Sequence, residues 1–219
     1  MPFSFAVFEC RTDPGQGVLQ HHGSVSERGR QTVDEVAREV ARAAGGAFGG
    51  SISVHRYYNE DERLSVDVLC ATPATVEGLA TFSTVTLHKT PNALDGADVR
   101  VELAATADSS VRDCANVIAT MALTVISDSW LAAPGVVYPN AFGMYDPDSE
   151  FPHALLTDPF PWPTLRGWTG QQVTVHWLLA FPISDSEWQF LSEHGEPALA
   201  ARLDAADSPY YSAQRRPVA

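Results

Sequence analysis

The chain has 219 residues, of which 45% are hydrophobic and 19% charged, and its formal net charge at pH 7 is −13. This composition is ordinary for a globular domain with one sizeable core, and it excludes a chain that is disordered throughout. The longest apolar run, from Trp177 to Phe181, is far shorter than the ~20 residues that a membrane span needs. The first residues lack the pattern of a secretory signal, so we expect a cytoplasmic protein.

The negative charge is concentrated in the middle of the chain. Between Asn92 and Phe160 ten acidic residues are opposed only by Arg100 and Arg112, which gives this segment a net charge of −8. Such a field repels nucleic-acid phosphates and argues against nucleic-acid binding. It would attract a basic protein and accelerate the encounter with it. The alternative is that the acidity only keeps the protein soluble.

Metal-binding and disulfide patterns are missing. Cys10, Cys70 and Cys114 are odd in number and widely spaced, and the last two lie on apolar faces, as small buried hydrophobic residues do. The pair His21-His22 has no further Cys, His or acidic residue at ligand spacing. We therefore predict no metal and no cofactor.

The first helix is predicted over residues 32–44. Thr32 and Glu35 have the spacing of a capping box, and apolar residues then recur at helical intervals. Gly45-Gly46 is expected to end this helix in the left-handed conformation.

Strands are predicted next, from alternating polar and apolar residues. In the clearest of them Leu64, Val66 and Val68 face one side and Ser65 and Asp67 the other, which predicts a sheet with one dry face. The predicted strands are 51–58, 63–73, 79–87 and 98–105.

The second half of the chain alternates helices and strands. A broad apolar stripe predicts a core helix over 111–130, and two short strands are expected at 136–138 and 153–156. A buried strand follows at 172–182. Ser184 and Glu187 form a second capping-box pattern, and Glu196-Pro197 begins a last short helix.

A long irregular segment from Pro134 to Gly170 is the candidate contact surface. Five of the 15 prolines lie within residues 147–163, together with acidic and aromatic side chains. Long loops of this kind in compact domains are often functional. The alternative is a rim packed down by its own aromatic rings. The protein-binding residues predicted here are Asp146, Asp148, Glu150, Asp158, Trp162 and Trp168.

Catalytic motifs are not found. No phosphate-binding loop, nucleophile elbow or zinc-protease motif occurs, and Gly15-Gln16-Gly17 alone is no dinucleotide fingerprint. His88 at a strand end and His176 within a strand are the histidines best placed to act as a base, and no nucleophile can be matched to either.

A set of ordered segments is shared with a known family. These segments are Ser-Val-Asp-Val-Leu-Cys-Ala-Thr-Pro (65–73), Leu-Ala-Thr-Phe-Ser-Thr-Val-Thr-Leu (79–87), Val-Arg-Val-Glu-Leu (99–103), Pro139 and Leu-Leu-Ala-Phe-Pro-Ile-Ser-Asp-Ser-Glu-Trp (178–188). Together they resemble the bacterial suppressor-of-fused-like family. The resemblance covers residues 50–204, and the helix at 32–44 fits as its lead-in. One departure is that the family's Gly-x-Ser turn is replaced here by Ser83–Pro91.

The predicted architecture is a single α+β domain over residues 1–204. Its mixed, mainly antiparallel central sheet is expected to be covered by helices on one face, as an α/β sandwich. Residues 205–219 show no apolar period and are expected to form a flexible tail.

The resemblance implies a non-catalytic protein-binding module. Many bacterial members look like immunity proteins of polymorphic toxin systems, which bind and neutralise a cognate toxin that is often a nuclease. The eukaryotic relatives bind an extended peptide of a transcription factor. The first hypothesis is therefore an immunity protein with a protein partner. The alternatives are a regulatory adaptor that adds a peptide to a sheet edge and a small hydrolase using His88 or His176.

Overall fold

A computed structural model describes residues 27–72, 79–108, 113–171, 173–206 and 215–219. The predicted histidine pair His21-His22 and the cysteine Cys10 lie outside these ranges. Within them the helices are α1 (Glu27–Phe48), α2 (Cys114–Asp128), α3 (Asp185–His194) and α4 (Glu196–Ala205). The strands are β1 (Ser51–Tyr58), β2 (Ser65–Thr72), β3 (Leu79–Thr84), β4 (Ala93–Leu94), β5 (Ala97–Asp98), β6 (Arg100–Asp108), β7 (Val137–Tyr138), β8 (His153–Thr157), β9 (Gly167–Thr169) and β10 (Thr174–Ile183).

One eight-stranded sheet organises the domain. Its strand order is β1-β2-β3-β6-β10-β8-β7, with β9 also paired to β10. β6 and β10 run parallel, and every other pair in this sheet is antiparallel. The prediction of a mixed, mainly antiparallel sheet in a single α+β domain is confirmed.

Helices pack on both faces of this sheet, whereas the sequence predicted one dry face. Neighbouring residues of each central strand point to opposite sides, so Val68 and Leu103 contact the cluster around α2. Leu69 and Ala104 contact the cluster that contains residues of α1, α3 and α4. The alternation of β2 stops at Val68-Leu69, and β10 is apolar along most of its length, which is typical of strands buried on both faces.

Helix α1 is longer than predicted at both ends. It begins at Glu27 and runs through Gly45 and Gly46 to Phe48, and the backbone turns at Gly49, where φ is 70°. The reason is burial: one side of the last three turns is fully buried, and Phe48 would lose that packing if the helix ended at Gly45. The fully buried residues of this stripe are Val40, Ala44 and Phe48.

The capping box predicted for α3 is confirmed. The Ser184 hydroxyl accepts a hydrogen bond from the backbone N–H of Glu187 at 3.1 Å, and the Glu187 carboxylate accepts one from the Ser184 N–H at 3.0 Å. These two bonds satisfy groups that the helix itself leaves unpaired. None of the helices in the described ranges is long and apolar enough to cross a bilayer.

Candidate protein-binding surface

The four acidic residues predicted to bind a partner are all exposed, but the fold divides them into two groups. Asp146, Asp148 and Glu150 precede β8, and Asp158 follows it. The five residues of β8 place its two ends about 16 Å apart. We call the first group the upper acids and Asp158 the lower acid. The sequence predicted one continuous surface, and the structure presents two.

No basic side chain neutralises either group within the described parts of the chain. The ion pairs found there involve other carboxylates. The Asp146 carboxylate accepts a 3.3 Å bond from the N–H of Asp148, inside its own turn. These acids therefore contribute uncompensated negative charge at the surface.

The two predicted tryptophan anchors differ in burial. Trp162 is 6% exposed and packs against Phe48 with the ring centroids 4.8 Å apart. Trp162 is therefore a core residue, whose ring packs where α1 meets the loop after β8. A buried ring offers little surface to a partner. Trp168 in β9 is half-buried and lies opposite Val175. Only Trp168 offers part of its ring to a partner.

A groove that the sequence did not predict lies beside the lower acid. It has a volume of about 300 Å³ between β8, β10 and α4. Thr157, next to Asp158, donates a hydrogen bond of 2.7 Å to Glu196 at its border. Sequence alone could not find it because its walls come from segments far apart in the chain. The lining includes Leu155, Phe181, Leu199, Leu203, Glu196 and Asp204.

His153 attaches the segment of the upper acids to the rest of the domain. Its Nδ1 accepts a hydrogen bond from the Asn140 N–H at 2.9 Å, so the proton of the neutral ring is on Nε2. Nε2 donates that proton to Asp185 at 2.9 Å, and the ring packs edge-on against Trp188. The loop between β7 and β8, which carries the upper acids, is thus tied to the beginning of α3.

A buried ion pair connects the end of the chain to α3. Arg215 donates two hydrogen bonds to Glu187, at 2.6 and 2.7 Å, and its guanidinium lies 3.9 Å from the centre of the Phe151 ring. The N–H of Val218 donates to the same carboxylate at 3.0 Å. The sequence predicted a flexible tail over 205–219. The structure places residues 215–219 against the domain, because a buried carboxylate and a buried guanidinium require each other.

These bonds also change the protonation of Glu187. Burial alone would raise the pKa of this carboxyl group. The hydrogen bonds from Arg215, Ser184 and Val218, together with the charge of Arg215, outweigh burial and hold the pKa below its ordinary value. Glu187 is therefore ionised at neutral pH, as its partners need.

His88 belongs to a buried network and is closed to substrates. It lies in the 3₁₀ turn Leu87–Lys89, is 4% exposed, and its Nδ1 is 2.5 Å from Glu102. The same carboxylate accepts the N–H groups of Leu87 and His88 at 3.2 and 3.0 Å. The sequence predicts a strand to Leu87, whereas β3 ends at Thr84. The Val85 N–H still bonds to the carbonyl oxygen of Asp67 on β2 at 2.9 Å, but from Leu87 onward the N–H groups bond to Glu102 and not to a neighbouring strand.

His176 differs from His88 in that it is exposed on β10, next to Gly167 of β9. In the residues described, no group of three His, Cys, Asp or Glu side chains is arranged to hold a metal ion. Neither histidine is brought together with a nucleophile by the contacts found here.

Strand β1 is the sheet edge suited to a peptide. In the described ranges it pairs with β2 on one side, and no strand pairs with its other side. Ile52 and Val54 on this strand are 45% and 50% exposed. Exposed apolar residues on an edge strand mark a place where another strand can add.

The fold described above has counterparts among known proteins. The model of the Suppressor of fused protein (SUFU) family matches residues 62–217, and the chain therefore belongs to this family. The family resemblance predicted from the sequence is confirmed. The match also includes residues 215–217, which belong to the predicted tail.

A bacterial relative is similar over nearly its whole length. The chain is 31% identical over 191 residues to the Immunity protein YqcF of Bacillus subtilis (strain 168). This alignment covers 85% of the chain and 98% of the relative.

Solved structures share the fold. A putative SUFU homolog from Neisseria gonorrhoeae FA 1090 superposes with a TM-score of 0.65 at 16% identity, covering 86% of this chain and 96% of that one. A chain of the Sufu–Fu complex superposes with a TM-score of 0.56 at 12% identity, covering 84% of this chain and 92% of the other.

Proposed function

We propose that this chain is an immunity protein that binds and neutralises a cognate toxin of a bacterial polymorphic toxin system. The observation that carries the proposal is the 31% identity to a protein named as an immunity protein, over 98% of that relative's length. The uncompensated acidic surface is a second support, because toxins that act on nucleic acid need a basic cleft, which acids can occlude. The toxin is thus expected to be a basic protein, such as a nuclease.

The proposed contact surface consists of the upper and lower acids. The proposed location of the protein is the cytoplasm. Exposed acids at the rim of an interface set the rate of association more than the final affinity. The lower acid has in addition the neighbouring apolar groove, and Trp168 on β9 is a half-buried aromatic residue. Apolar and aromatic groups supply most of the binding energy of an interface. We therefore expect the affinity to depend on the lower acid, the groove and Trp168, and the association rate to depend on the upper and the lower acids.

The proposed role involves no catalysis and no cofactor. His88 supports this, since both its ring and its backbone are engaged by Glu102, whose side chain is fully buried. A general base has to reach a substrate proton, and a ring with 4% exposure does not. The net charge of −13 likewise supports a protein partner over nucleic acid.

Two variants test the proposed surface. The partner in both assays is the toxin that we expect the adjacent gene in the genome to encode. In the first, Asp146, Asp148 and Glu150 are changed to Asn, Asn and Gln. In the second, Asp158→Asn is combined with Trp168→Ala. Co-expression with the toxin measures protection, and stopped-flow mixing of the purified proteins measures association at increasing salt concentration. We expect the first variant to associate more slowly and the second to dissociate faster as well.

A matched control neutralises three acids elsewhere: Glu60, Asp61 and Glu62, in the turn between β1 and β2. It removes the same charge as the first variant and is expected to leave protection intact. Unchanged protection and association in both surface variants would remove the surface assignment. Failure of the wild-type protein to bind or protect against the adjacent toxin would remove the immunity function itself.

A second candidate function is an adaptor that captures an extended peptide, and the exposed edge of β1 favours it. Main-chain hydrogen bonds would then provide the affinity, and such binding tolerates salt. A salt titration separates the two functions, because binding through the acids weakens as salt rises. Replacing Val54 by Pro removes a backbone donor of the edge strand and should abolish only peptide capture.

A further inference from the structure

A cationic pocket lies at the end of the sheet formed by β1 and β2, whereas β8, which the acids flank, lies near the other end. It has a volume of about 220 Å³ and is formed by β1, β2 and the segment that follows β3. Arg56, Arg63 and Lys89 line it, and Asp67 is the acid among its lining residues. Lys89 is the only lysine of the chain, and the protein as a whole carries −13. A surplus of positive charge at one concave site of so acidic a protein requires a physical explanation.

The charges of this pocket are only partly neutralised from within. Asp67 accepts two hydrogen bonds from Arg56, at Nε (2.6 Å) and Nη2 (2.9 Å), which leaves Nη1 unused by that carboxylate. Arg63 is paired at 3.1 Å with Asp61, where both side chains are largely exposed, and such pairs are weak. Among the described residues no carboxylate pairs with Lys89.

The segment that carries Lys89 is held rigidly. The Glu102 carboxylate accepts hydrogen bonds from the backbone N–H groups of Leu87 and His88. Arg100 donates from Nη1 to the carbonyl oxygens of His88 and Lys89, at 3.0 Å each. Because both ends of the 3₁₀ turn are fixed by buried or half-buried side chains, the backbone at Lys89 does not have to be ordered when a ligand binds. Preorganisation of this kind increases affinity.

Hydroxyl groups complete the set of donors. The Thr86 hydroxyl oxygen accepts the N–H of Asp67 at 2.8 Å, so its own proton is available to a further acceptor. Thr90, whose N–H bonds to Leu87, also lines the pocket. Positive side chains that converge with hydroxyl donors in a concavity form a site for an oxyanion.

We propose that the cationic pocket binds a small oxyanion, a phosphate or carboxylate group, through Lys89 and Arg63 with Thr86 and Thr90 as hydrogen-bond donors. Arg56 remains paired with Asp67 and contributes its positive charge at the wall of the pocket. The site is independent of the acidic surface proposed to bind the toxin, because the pocket and that surface share no residue.

The test is a titration of the purified full chain with inorganic phosphate and, separately, with acetate, at pH 7 and constant ionic strength. Amide chemical shifts around Lys89 report binding, and the two arms distinguish phosphate from carboxylate. We expect saturable binding in at least one arm. In the double variant Lys89→Gln/Arg63→Gln it should be weaker by at least about tenfold, as the loss of charge-assisted hydrogen bonds requires.

The matched control is Arg166→Gln/Arg216→Gln, which removes the same charge at two exposed positions away from the pocket. Its binding should equal that of the wild type. Equal weakening in both double variants would mean that the ion follows net charge, and it would overturn the site. Shift changes that do not saturate with either anion would overturn it as well. Both tested side chains are exposed, so the variants are expected to fold, and unchanged amide spectra away from the pocket verify this.

Discussion

Arg215 and Glu187 form a bidentate ion pair in which the side chains are 1% and 0% exposed. The two residues are 28 positions apart, and the pair joins the end of the chain to the first turn of α3. Arg215 also donates to the carbonyl oxygen of Pro182 at 2.7 Å. Residues 215–219 therefore pack against the folded domain.

Replacing Arg215 by Leu should destabilise the protein by about 3–5 kcal/mol, since it leaves the buried charge of Glu187 without its partner. Urea unfolding at pH 7 measures the change. Arg216→Leu is the control, because Arg216 is exposed and makes no ion pair in the described residues. The double variant Arg215→Met/Glu187→Gln should recover part of the loss, because it leaves no unpaired buried charge and the amide oxygen can still accept the Ser184 N–H. Equal stability of the two single variants would contradict the docked position of the C-terminus.

The lowered pKa of Glu187 predicts a pH dependence with a definite sign. Stabilisation from a depressed carboxyl pKa is complete above the ordinary value of 4.5 and is lost as the pH falls through the folded-state pKa. The stability difference between the wild type and Glu187→Gln should thus be largest at neutral pH and shrink below about pH 4.5. Urea unfolding from pH 7 to acid pH tests it. A difference that stays constant over this range would show that Glu187 does not carry the effect.

Glu102→Ala should cost at least about 3 kcal/mol, because it leaves two backbone N–H groups and the ring of His88 without their acceptor in a buried place. Hydrogen exchange of the amides of Leu87 and His88 should also become faster. Glu193→Ala, in the exposed part of α3, serves as the control and should change neither quantity. Slow exchange retained in Glu102→Ala would mean that the turn does not depend on this carboxylate.

Trp162 and Trp168 should separate stability from binding. Trp162→Ala is expected to cost about 3–5 kcal/mol, as removal of a buried aromatic ring from a core does. Trp168→Ala should cost less, since its ring is only half-buried. Thermal or urea unfolding of the two variants measures this order. The reverse order would place Trp162 outside the core.

Cysteine labelling should report the burial of Cys114. Burial, together with the charge of nearby Cys70, raises the pKa of Cys114 to about 12, so its reactive thiolate is scarce at pH 8. In a Cys10→Ser background a disulfide reagent should label Cys70 faster than Cys114, although burial also raises the pKa of Cys70. In denaturant Cys70 and Cys114 should be labelled rapidly and at similar rates. Labelling of Cys114 at the rate of Cys70 in the native protein would contradict its burial.

Several elements could be predicted from the sequence because their cause is local. The alternation around Val66 and the capping box at Ser184 and Glu187 depend on residues within a few positions of each other, and both were found where expected. The family resemblance extended these local patterns to a fold class. The end of α1 at Phe48 was not predictable in this way, because the burial of Phe48 against Trp162 overrides the glycines at 45 and 46.

The sequence by itself determined the α+β class, the order of most helices and strands, and the acidic character of the chain, since these follow from composition and from periodicity along the chain. The family was predicted from the resemblance of these ordered segments to a known one. Only the tertiary structure decided that both sheet faces are covered, that the acids lie at two ends of β8, and that Trp162 is buried. It also paired Arg215 with Glu187 and gathered Arg56, Arg63 and Lys89 around one pocket. The physical reason is that these relationships join residues distant in the chain, and strand order and packing determine which of them meet.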